Sequence, residues 1–335
     1  MTLTYEAKLS PERVIPLAIV GCGSVARWKH LPALTEGVPE LRIVALCDRD
    51  EDLMNALGDH YRIERRYTDA AKMIADGDVE AVDINAGHVV NEALIPMFAE
   101  AGKHIFAEKP IAASLETAKQ LRDITADAGI VFQIGHMKRL YYAYREAKQL
   151  MDDGALGNTT ALQSRMWWDL EPYPQMLFNN GIHHIDLVQY FMGPARSVFA
   201  RMSQTPKGAS ITVNIAFDDD RIGSMLMSSF ASWDHPNELV EITGDNGHVL
   251  SAENGSVLTH YRGDQPAEVY RRTLSAHWVQ GNDTGGFVPE FEQFSQSILH
   301  GDDILCAGQD GVNSLLLYDA IAESLDQGNE VEVGE

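Results

Sequence analysis

The chain has 335 residues, 45% hydrophobic and 22% charged, proportions that exclude a disordered tail protein or a disulfide-stapled miniprotein and leave room for two domains. Its 49 acidic residues against 26 Lys and Arg give a formal charge of -23, a surface that repels phosphate backbones and anionic headgroups and so argues against nucleic acid or membrane as partners. Cys22, Cys47 and Cys306 have no paired or metal-like spacing, and the N-terminal residues carry no basic or apolar leader pattern; both predict a cytoplasmic protein.

From Val14 to about Ile134, short apolar runs alternate with helix-length amphipathic segments. The runs are Ile15 to Val20, Leu41 to Cys47, Ala81 to Ile84, His104 to Ala107 and Ile130 to Ile134. That alternation predicts repeated βαβ units and a parallel sheet. Ser114 reads as the N-cap of a helix over Leu115 to Ala128. After a helix at about Tyr142 to Met151 the pattern changes to longer strands, Thr159 to Trp168, Ser210 to Phe217, Ile222 to Phe230 and Leu239 to Thr243, separated by turn clusters as in an antiparallel sheet. Helical patterns over Pro289 to Leu299 and Gln309 to Gln327 end the chain. The fold class expected is α/β: a Rossmann domain over 1–135, on which the final helices can pack back, then an α+β domain over 136–335 with a large, mostly antiparallel open sheet.

The first strand ends in Gly21-Cys22-Gly23-Ser24-Val25-Ala26, a GxGxxA turn opening a helix. Glycines there allow a tight turn and close approach to a pyrophosphate, whose charge the helix N-terminus meets. Asp48, at the end of the second strand, is placed to accept hydrogen bonds from ribose hydroxyls and to repel a 2′-phosphate, which favours NAD. Arg49 beside it keeps NADP open. Lys109 follows the strand His104 to Ala107, where open α/β sheets bind ligands, and could stabilise an alkoxide; a solvated turn Lys is the competing reading. In Asn179-Asn180-Gly181-Ile182-His183-His184-Ile185-Asp186, which starts a helix, His183 and Asp186 can share a face, and a His near the helix start could shuttle a proton. Adjacent His residues with one Asp do not make a zinc site, and no metal is expected. Trp167, Trp168, Trp233 and Trp278 could stack on a sugar or simply fill a core. Lys138 and Arg139 could contact substrate or form a solvated charge pair.

The glycine turn, Glu108-Lys109-Pro110 and Gly181-Ile182-His183-His184-Ile185-Asp186, in this order, resemble the Gfo/Idh/MocA family over nearly the whole chain. The resemblance implies an NAD(P)-dependent oxidoreductase acting on a sugar, cyclitol or related polyol, assembled as a dimer or tetramer through its open sheet. It matches Lys109 to the Lys of the EKP motif and His183 to the catalytic His, and it sets Asn85 and Glu108 along the cofactor. Two departures stand out: Asn179 where many members have Asp, and Asn85-Ala86 and Asn91 where Thr-Pro and a His are usual. The expected chemistry is reversible oxidation of a secondary alcohol, His183 taking the hydroxyl proton, Lys109 stabilising the alkoxide and Asn179 orienting. The alternatives are a nucleotide-sugar dehydrogenase or ketoreductase, and an NAD(P)-binding regulator without turnover.

Overall fold

The computed structural model describes residues 13–231, 237–271 and 285–334; Trp233 and Trp278 lie outside them. The chain divides into two compact units. One takes the described part of Met1–Ala113 with Lys119–Gly135 and Phe287–Gly308, the other Ser114–Ala118, His136–Gly286 as far as described, and Gln309 onward.

The first unit holds a six-stranded parallel sheet of β1 (Ile15–Val20), β2 (Leu41–Cys47), β3 (Arg65–Tyr67), β4 (Ala81–Ile84), β5 (His104–Ala107) and β6 (Phe132–Ile134), in the order β3-β2-β1-β4-β5-β6. All four residues of β4 are buried and all but one of β1, as in strands covered on both faces, which is why these runs are continuously apolar. The order reverses between β1 and β4, and a doubly wound sheet binds ligands outside the carboxyl ends at that point. The helix of the Ser114 cap runs over Leu115–Asp127, with Ser114 Oγ accepting the Thr117 N–H at 3.2 Å. Strand β3 was missed because its polar residues Arg65, Arg66 and Tyr67 are only half-buried at the sheet edge.

The second unit holds a nine-stranded sheet built from β7 (Thr159–Trp167), β8 (Ala195–Thr205), β9 (Gly208–Phe217), β10 (Ile222–Ser228), β11 (Glu238–Gly244), β12 (His248–Glu253), β13 (Val257–Arg262), β14 (Gln265–Arg271) and β15 (Val331–Glu332). Its order is β14-β13-β12-β11-β7-β10-β9-β8-β15, antiparallel except where β7 meets β10. Alternate residues such as Ile211, Val213, Ile215 and Phe217 of β9 enter one core with Tyr144, Ile185 and Val188 from the helices Tyr142–Asp152 and Ile182–Met192. The period of two gives the sheet its buried face. No helix among the described residues is long and apolar enough to cross a membrane.

Candidate cofactor and catalytic residues

Gly21 leaves β1 at φ +91, and a Cβ there would meet the Asn85 carbonyl carbon at 2.9 Å. Glycine is needed both for the backbone region and for the approach of the β4 end. A Cβ on Gly23 would meet nothing within 4 Å, so the space over the turn is open, as a pyrophosphate requires. Ser24 and Val25 are exposed, Ala26 is buried, and the Arg27 N–H donates to the Gly23 carbonyl at 2.9 Å, so a helical turn over Ala26–His30 begins directly at the loop.

Asp48 is tied to that loop. Its Oδ2 accepts the Cys22 N–H at 2.6 Å and its Oδ1 the Asp50 N–H at 2.9 Å, which orients the carboxylate and leaves acceptor capacity for a ribose. Asp48 and the exposed Arg49 line a cleft of about 430 Å³ with Gly21, Thr68, Val89 and Leu94 among its walls. Mostly apolar walls with one carboxylate suit an adenosine. At the switch point both polar atoms of the Asn85 amide are buried without a hydrogen-bond partner, an arrangement folded proteins avoid unless a ligand or water satisfies it. The residues of this unit therefore fit a dinucleotide.

Lys109, half-buried, follows β5. Its N–H donates to Glu108 Oε2 at 3.1 Å, while Asn91 Nδ2 donates to the carbonyls of Glu108 at 2.9 Å and Pro110 at 3.2 Å. Asn91, noted in the sequence as a departure, is thus the buried clamp of the Lys109 turn. The Glu108 carboxylate turns inward instead of lying open along the cleft: its Oε1 is 3.1 Å from His30 Nε2, and its side chain is 11% exposed. His30 is fully buried, with Nδ1 3.0 Å from Asp83 Oδ2. Burial alone would lower its pKa, but Asp83 and Glu108 override that and hold it well above the usual histidine range.

In the second unit His183 is 6% exposed, on the helix Ile182–Met192. Arg139 donates to Asp186 from Nε at 2.8 Å and from Nη2 at 2.6 Å, and its Nη1 reaches Asp310 at 3.0 Å. His184 is fully buried, bonded to Ser164 Oγ, with Nε2 3.5 Å from Glu238. Lys138 pairs with Glu238, which also accepts the Tyr144 hydroxyl at 3.2 Å. Against its own burial, Glu238 is held well below the carboxylate range by Lys138 and His184. Neither Lys138 nor Arg139 is a solvated charge: both are buried in internal ion pairs, which corrects that expectation and weakens their reading as substrate contacts. Trp168 is core, and half-buried Trp167 has the Arg165 guanidinium over its ring at 4.9 Å.

Asn179 is exposed, and its Nδ2 donates to Glu171 Oε1 at 2.7 Å. Glu171 Oε2 accepts from Asn180 Nδ2 at 2.9 Å and Trp168 Nε1 at 3.2 Å. A carboxylate therefore sits beside residue 179 although residue 179 is itself an amide. Sequence reasoning missed Glu171, His30, Asp83 and Glu238. Glu171 was within reach of it, being an acidic residue in the loop just before the Asn179 cluster. Among the described residues no group of three or more His, Cys, Asp or Glu is arranged to hold a metal ion.

Comparison with known proteins gives two family matches: "Oxidoreductase family, NAD-binding Rossmann fold" over residues 15–136 and "Oxidoreductase family, C-terminal alpha/beta domain" over residues 155–333. The chain is 25% identical to D-apiose dehydrogenase of Rhizobium rhizogenes, over 95% of this chain and 97% of that protein. It is 23% identical to myo-inositol 2-dehydrogenase of Thermotoga maritima, over 95% and 98%. Among solved structures, levoglucosan dehydrogenase in complex with NADH and levoglucosan superposes with a TM-score of 0.86 at 20% identity, over 96% of this chain and all (100%) of that one; this is likeness of fold.

Proposed function

We propose the reaction of this chain from one premise: it belongs to the Gfo/Idh/MocA oxidoreductase family and is an NAD-binding oxidoreductase. Its substrate is a secondary alcohol of a sugar, cyclitol or related polyol, oxidised reversibly with NAD in preference to NADP. The names of its relatives support the substrate class. The observation that carries the reading is that the glycine turn, Asp48, the unpartnered amide of Asn85 and Lys109 all stand at the carboxyl ends of β1, β2, β4 and β5.

When bound, NAD supplies the hydride acceptor. Lys109 holds the reacting oxygen and stabilises it as the alkoxide forms. The His183 imidazole accepts the hydroxyl proton, and Asn179, anchored on Glu171, orients without ionising. Trp167 is the aromatic candidate for the apolar face of the sugar. Residues 1–135, with 287–308 in the same compact unit, serve the cofactor, and the rest of 136–335 serves the substrate and assembly, as a homodimer or homotetramer through the nine-stranded sheet. The buried free thiols Cys22, Cys47 and Cys306 fit a reducing cytoplasm.

Initial rates with NAD⁺ and NADP⁺ over aldoses, cyclitols and anhydrosugars test the reading, with light scattering for the assembly. Turnover of at least one polyol with NAD preferred is expected. Tight NADH binding with no turnover on any of them would overturn it in favour of a regulator.

A further inference from the structure

His30 has no part in the reaction so far, yet it is an ionisable group fully enclosed near the Lys109 turn. It sits on the first helical turn after the glycine loop at 0% exposure. The rings of Phe106, Phe287 and Phe291 surround it with centroids at 5.6, 5.7 and 4.9 Å. Its Nδ1 lies 3.0 and 3.2 Å from the two Asp83 oxygens, and its Nε2 lies 3.1 Å from Glu108 Oε1. A neutral imidazole has one N–H and one lone pair. With a carboxyl oxygen at each ring nitrogen, the doubly protonated ring is the state that donates to both sides at once.

The charge has a mechanical consequence. One oxygen of Glu108 is held by His30, and the other accepts the Lys109 N–H at 3.1 Å. Asn91 ties the carbonyls on either side of Lys109. The chain of contacts Asp83, His30, Glu108, Lys109 N–H thus runs from the strand β4 to the residue assigned to the reacting oxygen. Two further ionisable groups lie around the ring. Glu290, from the helix Phe287–His300, is buried with both carboxyl oxygens unpartnered, and burial pushes it into its neutral form; Lys29 lies over the outer ring of Phe287 at 5.5 Å.

We propose that His30, as an imidazolium bridging Asp83 and Glu108, is a positioning residue that fixes the Lys109 backbone for turnover. The inference rests on the reading of Lys109 given above. Loss of the His30 proton removes one of the contacts that hold Glu108 and so loosens the Lys109 turn.

The first test needs no variant: nitrogen chemical shifts of His30 in the wild-type protein at about pH 8, above the ordinary histidine range, should show both ring nitrogens protonated. The second is Asp83→Asn, which removes one of the two carboxylates that favour the imidazolium; it should shift the alkaline limb of kcat to lower pH. The third is His30→Gln, which should lose on the order of 10²-fold in kcat, with NADH affinity retained by fluorescence titration. A neutral His30 at that pH, or folded variants with unchanged kcat and an unchanged alkaline limb, would overturn the inference. Retention of full activity by Lys109→Ala would instead sink the parent reading, so the two failures are distinguishable.

Discussion

At the scale of single residues, the assigned roles separate cofactor choice from chemistry. Asp48 orients on the Cys22 N–H and repels a 2′-phosphate, so Asp48→Ala should narrow the NAD over NADP ratio of kcat/KM without abolishing turnover; a wild type that prefers NADP would show Arg49 to dominate. Lys109→Ala should lower kcat by roughly 10² or more while NAD affinity persists, because a cation at the reacting oxygen acts mainly in the transition state. If affinity collapses and kcat survives, Lys109 is a cofactor ligand. Asn179→Asp would replace a donor to Glu171 by a like charge, costing up to about 1 kcal/mol at this exposed position. That loss should shrink in a Glu171→Gln background; an unchanged loss would mean that residues 179 and 171 do not interact in solution. The glycine turn, Asp48 and Lys109 were legible in the sequence because each follows an apolar strand at a fixed offset. His30 was not, since it is defined by partners 53 and 78 positions away, and neither reading of Lys138, as a substrate contact or a solvated charge, included its internal partner because Glu238 is 100 positions off.

At the scale of elements, the same contrast explains which strands were visible. Strands β1 and β4 are buried along nearly their whole length and announce themselves as apolar runs. Strand β8 interleaves buried positions with exposed Arg196 and Arg201, β13 places His260 on its buried face beside Leu258, and β14 buries no residue, so their pattern reads like loop sequence until neighbouring strands pair with them. The junction of β1 with its following helix offers a test that needs no substrate. Gly21→Ala meets both a positive φ and the Asn85 backbone at 2.9 Å, so it should lower stability by at least about 1 kcal/mol. Gly23→Ala has open space and no such φ, yet its methyl would project where the pyrophosphate passes. It should leave the apo Tm nearly unchanged while weakening NADH binding. Equal effects of the two substitutions on Tm would show that the turn is not organised as described.

At the scale of the molecule, the buried cluster around His30 and the one around Glu238 differ in sign of response to pH. In the first unit, His30 is raised above its ordinary 6.5 by Asp83 and Glu108 against the effect of burial, and Glu290 is raised above 4.5 by burial. A group whose pKa is raised on folding contributes stability present in full below the unfolded value and lost as pH rises through the folded one. The first unit should therefore weaken on the alkaline side. In the second unit Glu238 is depressed below 4.5 by Lys138 and His184 despite burial, and His184 is depressed below 6.5 by burial. Depressed groups contribute stability that is present above the unfolded value and lost as pH falls, so the second unit should weaken on acidification from about pH 6.5 downward. Repulsion within a chain of formal charge -23 acts on both units with one sign and cannot produce opposite responses. Peptide-resolved hydrogen exchange, corrected for the intrinsic rate at each pH, should show protection falling first in 136–271 under acid and in 13–113 under alkali. Replacing Glu238 by Gln should flatten the acid response alone, and loss of protection in the same direction in both units would mean that global charge, not these buried pairs, governs stability.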